Sequence, residues 1–102
     1  MSIEILRGLC HEGKVDLTLH AKKRLEERDI SVSEVFDTLL DGEVIESYPD
    51  AYPYPSWLIL SGDNKPPLHV VASVNGEIVS IITAYFPTLE KWQSDYKTRR
   101  ER

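Results

Sequence analysis

The chain has 102 residues, 41% apolar and 28% charged, with a net charge of −5, which is enough for one domain with a single core and is an ordinary balance for a globular protein. No run of about eighteen apolar residues occurs, which excludes a membrane-spanning helix, and the start MSIEILRGLCHEG lacks the basic-then-apolar pattern of a signal peptide. The lone Cys10 forms no internal disulfide and suits a reducing, cytoplasmic setting, while its neighbours Ile5, Leu6 and Leu9 mark it as a buried structural thiol.

Charge is unevenly spread. Residues 29 to 50 carry Asp29, Glu34, Asp37, Asp41, Glu43, Glu46 and Asp50 with no lysine or arginine, whereas the tail KTRRER carries Lys97, Arg99, Arg100 and Arg102 against Glu101. The molecule is therefore polarised: nucleic acid would meet the basic side, and the acidic lobe suits a basic partner or simple solubility.

In chain order, SIEILRGLCHEG predicts a short helix with Ser2 as N-cap and Gly13 as its stop. VDLT is extended, and Thr18 caps a second helix within LTLHAKKRLEERDI. SVSEVFDTLLDG is a third: Ser31 and Glu34 form a capping box, Val32, Val35, Leu39 and Leu40 make the inner stripe, and Gly42 ends it. From Glu43 the period changes. EVIESY and SWLILSG read as strands separated by the proline-rich YPDAYPYPSW, and PPLHVVASV and EIVSIITAYF flank NG, a strong hairpin signal. PTLEKWQSDYKTRRER reads as a terminal helix fraying into a basic tail. Helices followed by antiparallel strands predict an α+β fold, a single domain over 1–102 with one helical layer on one sheet.

The second helix is unusual in where its charges fall. At about 100° per residue, Leu17, Ala21 and Leu25 define an inner stripe, and His20, Arg24 and Arg28 lie within or beside it in a row about 12 Å long. Arginines edging a core need acceptors. Either their heads pair with acids of the next helix such as Glu34 or Asp37, or their forks make an anion site suited to phosphate. His20, at the positive end of the helix dipole and one turn from Arg24, is disfavoured as imidazolium, so its neutral ring is available to take a proton.

The hairpin holds a second group of polar residues. A two-residue turn at Asn75–Gly76 sets His69 opposite Ile82 and Leu68 opposite Thr83, with His69, Val71, Ser73, Ile78, Ser80, Ile82 and Ala84 on the more polar face and Thr83 and Tyr85 on the other. A three-residue loop with a bulge sets His69 beside Thr83 instead. The sequence leaves both registers open. His69 as a satisfied sheet residue, and Thr83 and Tyr85 as ordinary strand formers, are the plain alternatives.

Taken together, LTLHAKKRLEERDIS, a glycine before a strand, YP at that strand's end, LHVV, and IITAYFP followed by Trp92 and Arg99–Arg100 resemble an uncharacterised bacterial domain family over about residues 17 to 100. That family is grouped with the barnase–EndoU–colicin–RelE ribonuclease-toxin fold. The resemblance implies N-terminal helices packed on a curved antiparallel sheet of about four strands, with a short C-terminal helix following. It places catalytic roles on His20, Arg24, His69, Thr83 and Tyr85, and RNA or phosphate contacts on Arg28, Trp92, Arg99 and Arg100. The implied activity is metal-independent RNA cleavage, in which the 2′-hydroxyl attacks phosphorus, a base and an acid move protons, and cations stabilise the phosphorane.

The resemblance implies no cofactor, and no His/Cys/Asp cluster has metal-ligand spacing. RNA or the ribosome and an antitoxin protein are the implied partners, with neither DNA nor membrane among them. The chain departs from toxins of this fold in being acidic, which bears on its affinity for bulk RNA. A competing expectation is a non-catalytic interaction module. In it, the acidic segment and the loop aromatics Tyr48, Tyr52, Tyr54 and Trp57 meet a protein, unless those aromatics simply cover the core. A third expectation is an anion binder using Arg24 and Arg28.

Overall fold

In the computed structural model, which describes residues 3–62 and 66–100, the helices end where the chain supplies partners for unpaired backbone groups. α1 (Ile3–His11) stops at Gly13, whose left-handed φ of 76° lets the N–H groups of Gly13 and Lys14 reach back to the carbonyls of Cys10 and Leu9. Its expected N-cap, Ser2, lies outside the described residues. After β1 (Val15–Leu17), the Thr18 hydroxyl accepts from the Ala21 N–H and opens α2 (Leu19–Glu27). α2 closes with the same pair of reverse bonds, Ile30 to Leu25 and Asp29 to Glu26, with Asp29 in the left-handed position at φ 57°. Leu25 and Ile30 are both buried, which supplies the apolar contact usual at such an ending.

α3 (Val32–Asp41) carries the expected capping box of Ser31 and Glu34. Its buried face is Val35, Thr38 and Leu39. Val32, expected inside, is exposed in the first turn, and Thr38 is buried instead, its hydroxyl satisfied by the Glu34 carbonyl. The Arg7 guanidinium caps the far end, donating to the carbonyls of Leu39 and Gly42. Gly42 is needed for space, since its φ is −78° and a Cβ there would lie 2.5 Å from the carbonyl oxygens of both Thr38 and Leu60.

The sheet has five strands in the order β1-β5-β4-β3-β2. β2 (Glu43–Tyr48), β3 (Ser56–Leu60), β4 (His69–Asn75) and β5 (Ile78–Tyr85) pair antiparallel. The expected α+β class holds, but about four antiparallel strands becomes five in a mixed sheet, because the VDL stretch adds to β5 in parallel. The helices cover one face, where Leu6, Ala21, Leu25, Val35 and Leu39 meet Ile59, Val70, Ala72, Val79 and Ile81, and Cys10 is buried among them as expected. No described helix is long and apolar enough to cross a membrane.

The hairpin forms in neither expected register. Gly76, at φ 63°, takes the first turn position and Glu77 the second, so Asn75 pairs with Ile78 and Val74 with Val79. A bulge then inserts Ile82 between the pairs Ala72–Ile81 and Val71–Thr83. One extra residue carries the part of β5 beyond it to the opposite face, while β4 keeps its alternation. Val70 and Ala84 turn to the helices, and His69 pairs with Tyr85 on the other side.

The expected C-terminal helix is absent over the described residues, since 87–100 forms turns and a single Trp92–Arg99 bridge. Asp95 accounts for this: its carboxylate accepts from the N–H groups of Lys97 and Thr98 and from the Thr98 hydroxyl, a local arrangement that competes with helix.

Two alanine substitutions test this backbone reading with opposite signs. Gly42→Ala should lower the free energy of unfolding in urea by about 1–3 kcal/mol through overpacking. Gly8→Ala, in the open middle of α1, should raise it by up to about 1 kcal/mol through helix propensity. An unchanged midpoint for Gly42→Ala would contradict the close approach of strand and helix end.

Candidate functional site

β1 covers β5 only from Val79 to Ile81, which leaves the distal part of β5 with a free edge. α2 packs on β5, and its C-cap residue Arg28 reaches that edge. The guanidinium donates at 2.7 Å to the Ala84 carbonyl, a backbone acceptor beyond the reach of β1, and at 3.3 Å to the Thr83 hydroxyl. Among the described residues Arg28 forms no ion pair.

Across the second face of the sheet, residues 87–100 run as a strap. Trp92 is buried there with its ring edge-on to fully buried His69, centroids 4.6 Å apart. His69 Nε2 lies 2.8 Å from the Tyr96 carbonyl, which only accepts, so Nε2 carries the proton. Nδ1 is then the acceptor for the Tyr85 hydroxyl at 3.2 Å. Tyr96 sits at φ 58°, a strained conformation for a bulky side chain, and its carbonyl is the one the imidazole uses. Burial pushes the His69 pKa below its ordinary 6.5, partly opposed by the bond to Tyr96 and the nearby Glu46 carboxylate. Burial also raises that of Tyr85, so its phenol stays protonated at neutral pH.

The strap's far end is clasped to β2. Arg99 Nε and Nη2 donate to the two carboxylate oxygens of Glu46 at 2.7 and 2.9 Å, and its guanidinium lies 4.6 Å from the Trp92 ring centroid. The Tyr48 hydroxyl donates to the same carboxylate. Arg99 holds the Glu46 carboxyl below the usual carboxylate range, and the carboxylate in turn raises the pKa of Arg99. Arg100 braces the strap through the carbonyls of Leu89 and Trp92. Between these elements opens a cleft of about 840 Å³ with Arg28, Tyr85, Glu90, Lys91, Trp92 and Arg99 on its walls, a volume within the usual range for ligand sites.

The residues singled out from the sequence are therefore divided. Arg28, His69, Thr83, Tyr85, Trp92 and Arg99 come together, while His20 and Arg24 stay apart. His20 is exposed in the first turn of α2, about 12 Å along the helix axis from Arg28. Arg24 makes an exposed pair with Glu27 at 2.9 Å, an interaction of little energetic weight, and neither arginine pairs with Glu34 or Asp37. The expected row fails because Leu17, which anchored its inner stripe, belongs to β1, and only the C-terminal end of α2 reaches the cleft. Arg100 is occupied as a brace. The loop aromatics also divide: Trp57 is core, Tyr48 holds Glu46, and Tyr52 is 97% exposed. Glu90 and Lys91 on the cleft wall, and Glu46 and the Tyr96 carbonyl behind it, were missed, because their contacts depend on the strap folding back across the sheet.

A family model described as "Domain of unknown function (DUF4258)" matches residues 17–86. The chain belongs to the DUF4258 family. The DUF4258 match runs from the end of β1 past the end of β5 and takes in Arg28, His69 and Tyr85, whereas Trp92, Tyr96 and Arg99 of the strap lie beyond it. No curated protein and no solved structure matches the chain.

The lowered His69 pKa makes stability depend on pH in a defined direction. A ring that resists protonation when folded contributes stability that is fully present above its ordinary 6.5 and lost as pH falls through the folded value. Urea midpoints of the wild type should therefore decline as pH drops below 6.5, and those of His69→Gln should decline less over the same interval. Equal declines would show that His69 titrates as freely as in the unfolded chain.

Proposed function

We propose that the protein is a metal-independent endoribonuclease of the RelE-like toxin type, acting in the cytosol on RNA, free or ribosomal, and restrained by a protein partner. The observation that carries this reading is Arg28. It stands on the cleft wall beside Tyr85, held by neutral acceptors, and so keeps an uncompensated charge. Such a fork suits the non-bridging oxygens of a phosphodiester. Tyr85, whose hydroxyl donates to His69, shapes the same wall and leaves the proton of an attacking 2′-hydroxyl to a carboxylate. Glu90 is the carboxylate on the cleft wall that removes the proton, and Lys91 the ammonium that supplies one to the leaving 5′-oxygen. His69 then positions Tyr85 and exchanges no proton with substrate, and His20 has no part.

A non-catalytic interaction module of the same fold is the second reading. One observation favours it: among the described residues the cleft holds no free imidazole nitrogen, His69 having both in use. Inducible expression in bacteria separates the two. Wild type should arrest growth and degrade RNA, leaving cyclic or 3′-phosphate ends, and Arg28→Ala should lose about 10²–10³-fold in cleavage rate, as when one charge-stabilising donor is removed. A wild type that binds RNA or a protein yet neither arrests growth nor cleaves would sink the nuclease reading and leave the module.

A further inference from the structure

The cleft contains a second guanidinium that already has an anion. Arg99 lines the wall with Arg28, yet two arms of its fork end on the carboxylate oxygens of Glu46. This two-pronged geometry is the one phosphate oxygens adopt with arginine. The pair is asymmetric in depth: the Glu46 side chain is 23% exposed and that of Arg99 59%, so the arginine is the more open partner and the glutamate the more enclosed. Glu46 sits on a sheet face beside Leu58, its cross-strand partner, where a charge needs a reason. Tyr48 holds the carboxylate, and Trp92 supports the guanidinium from its ring face.

We infer that Glu46 is an internal stand-in for a substrate phosphate: it neutralises Arg99 in the resting cleft, and a phosphodiester must displace it to be gripped by two guanidinium groups instead of one. The inference rests on the reading of the cleft as an RNA site. It makes Glu46 the residue that sets the cleft's affinity for phosphodiesters. It also gives the acidic segment a reach into the cationic cleft, through a residue of β2 rather than through bulk charge.

The test is binding of a short single-stranded RNA to the full chain by fluorescence anisotropy across a range of salt concentrations. Glu46→Gln removes the charge and keeps one acceptor oxygen, enough for Tyr48 and Arg99 Nη2, while giving up the bond to Arg99 Nε. It should bind several-fold more tightly, with the slope of log K against log salt steeper by about 0.7, the value for one added phosphate contact on a single strand. Glu46→Asp keeps the charge while loosening the clasp and should show no gain, which separates charge from a slackened strap. Adding Arg99→Ala to Glu46→Gln should abolish the gain. Binding by Glu46→Gln no tighter than wild type, or a gain that survives the double substitution, would overturn the inference.

Failure of the parent reading shows differently, as equal RNA binding by wild type and Arg28→Ala. Inorganic phosphate, followed through the ¹⁵N signal of Arg99 Nε, still decides the role of Glu46 in that case. It should move that signal at lower concentration in Glu46→Gln than in wild type, and identical titrations would refute the role.

Discussion

An imidazole can be buried without a charge only if both ring nitrogens find partners of opposite character, one acceptor and one donor. His69 meets that condition with the Tyr96 carbonyl on one side and the Tyr85 hydroxyl on the other. Much of the second face of the sheet follows from it. The Tyr96 carbonyl belongs to the strap, so the strap must lie across β4. Trp92 then packs on the ring, and Arg99 comes within reach of both Trp92 and Glu46. The donor is available only because the bulge at Ile82 moves Tyr85 to the face that His69 occupies. One inserted residue in β5 thus links a local irregularity of the ladder to the composition of the cleft.

The two guanidinium groups of the cleft are held by different chemistry, and that difference shapes what the site can do. Arg28 is fixed by neutral oxygens at the free edge of β5. Its position is secured without its charge being cancelled. Arg99 is fixed by a carboxylate, which secures the strap and masks the charge together. Of its two guanidinium groups, such a cleft presents one exposed without a carboxylate and one masked by Glu46, in a chain whose net charge is negative. Because Arg28 and Tyr85 fall within the DUF4258 match and Arg99 does not, the exposed site belongs to the family region and the masked one to the segment that follows it.

What could be read from the sequence was what depends on near neighbours. Thr18, the Ser31–Glu34 box and the Gly13 stop were legible because each satisfies backbone groups within a few residues. The α+β class and the NG hairpin were legible from period and turn chemistry. The bulge was not, because nothing local distinguishes Ile82 from the apolar residues around it. The strap read as a helix because the pull of Asp95 on the amides of Lys97 and Thr98 is invisible to periodicity. Of the site, Arg28, His69 and Tyr85 were named from their residue types. Glu46 was seen only as one acid in a run, since its partner lies 53 residues away in sequence. His20 and Arg24 were misplaced because a helical wheel started at Leu17 counts a strand residue as its anchor.

The arrangement of His69 is the claim on which the cleft, the strap and the placement of Tyr85 all stand, and imidazole ¹⁵N NMR of the full chain measures it directly. The two hydrogen bonds predict a neutral ring protonated at Nε2 with Nδ1 as a hydrogen-bonded acceptor, persisting below the ordinary histidine value of 6.5. A ring protonated at Nδ1, or one that becomes a cation at that ordinary value, would contradict that arrangement.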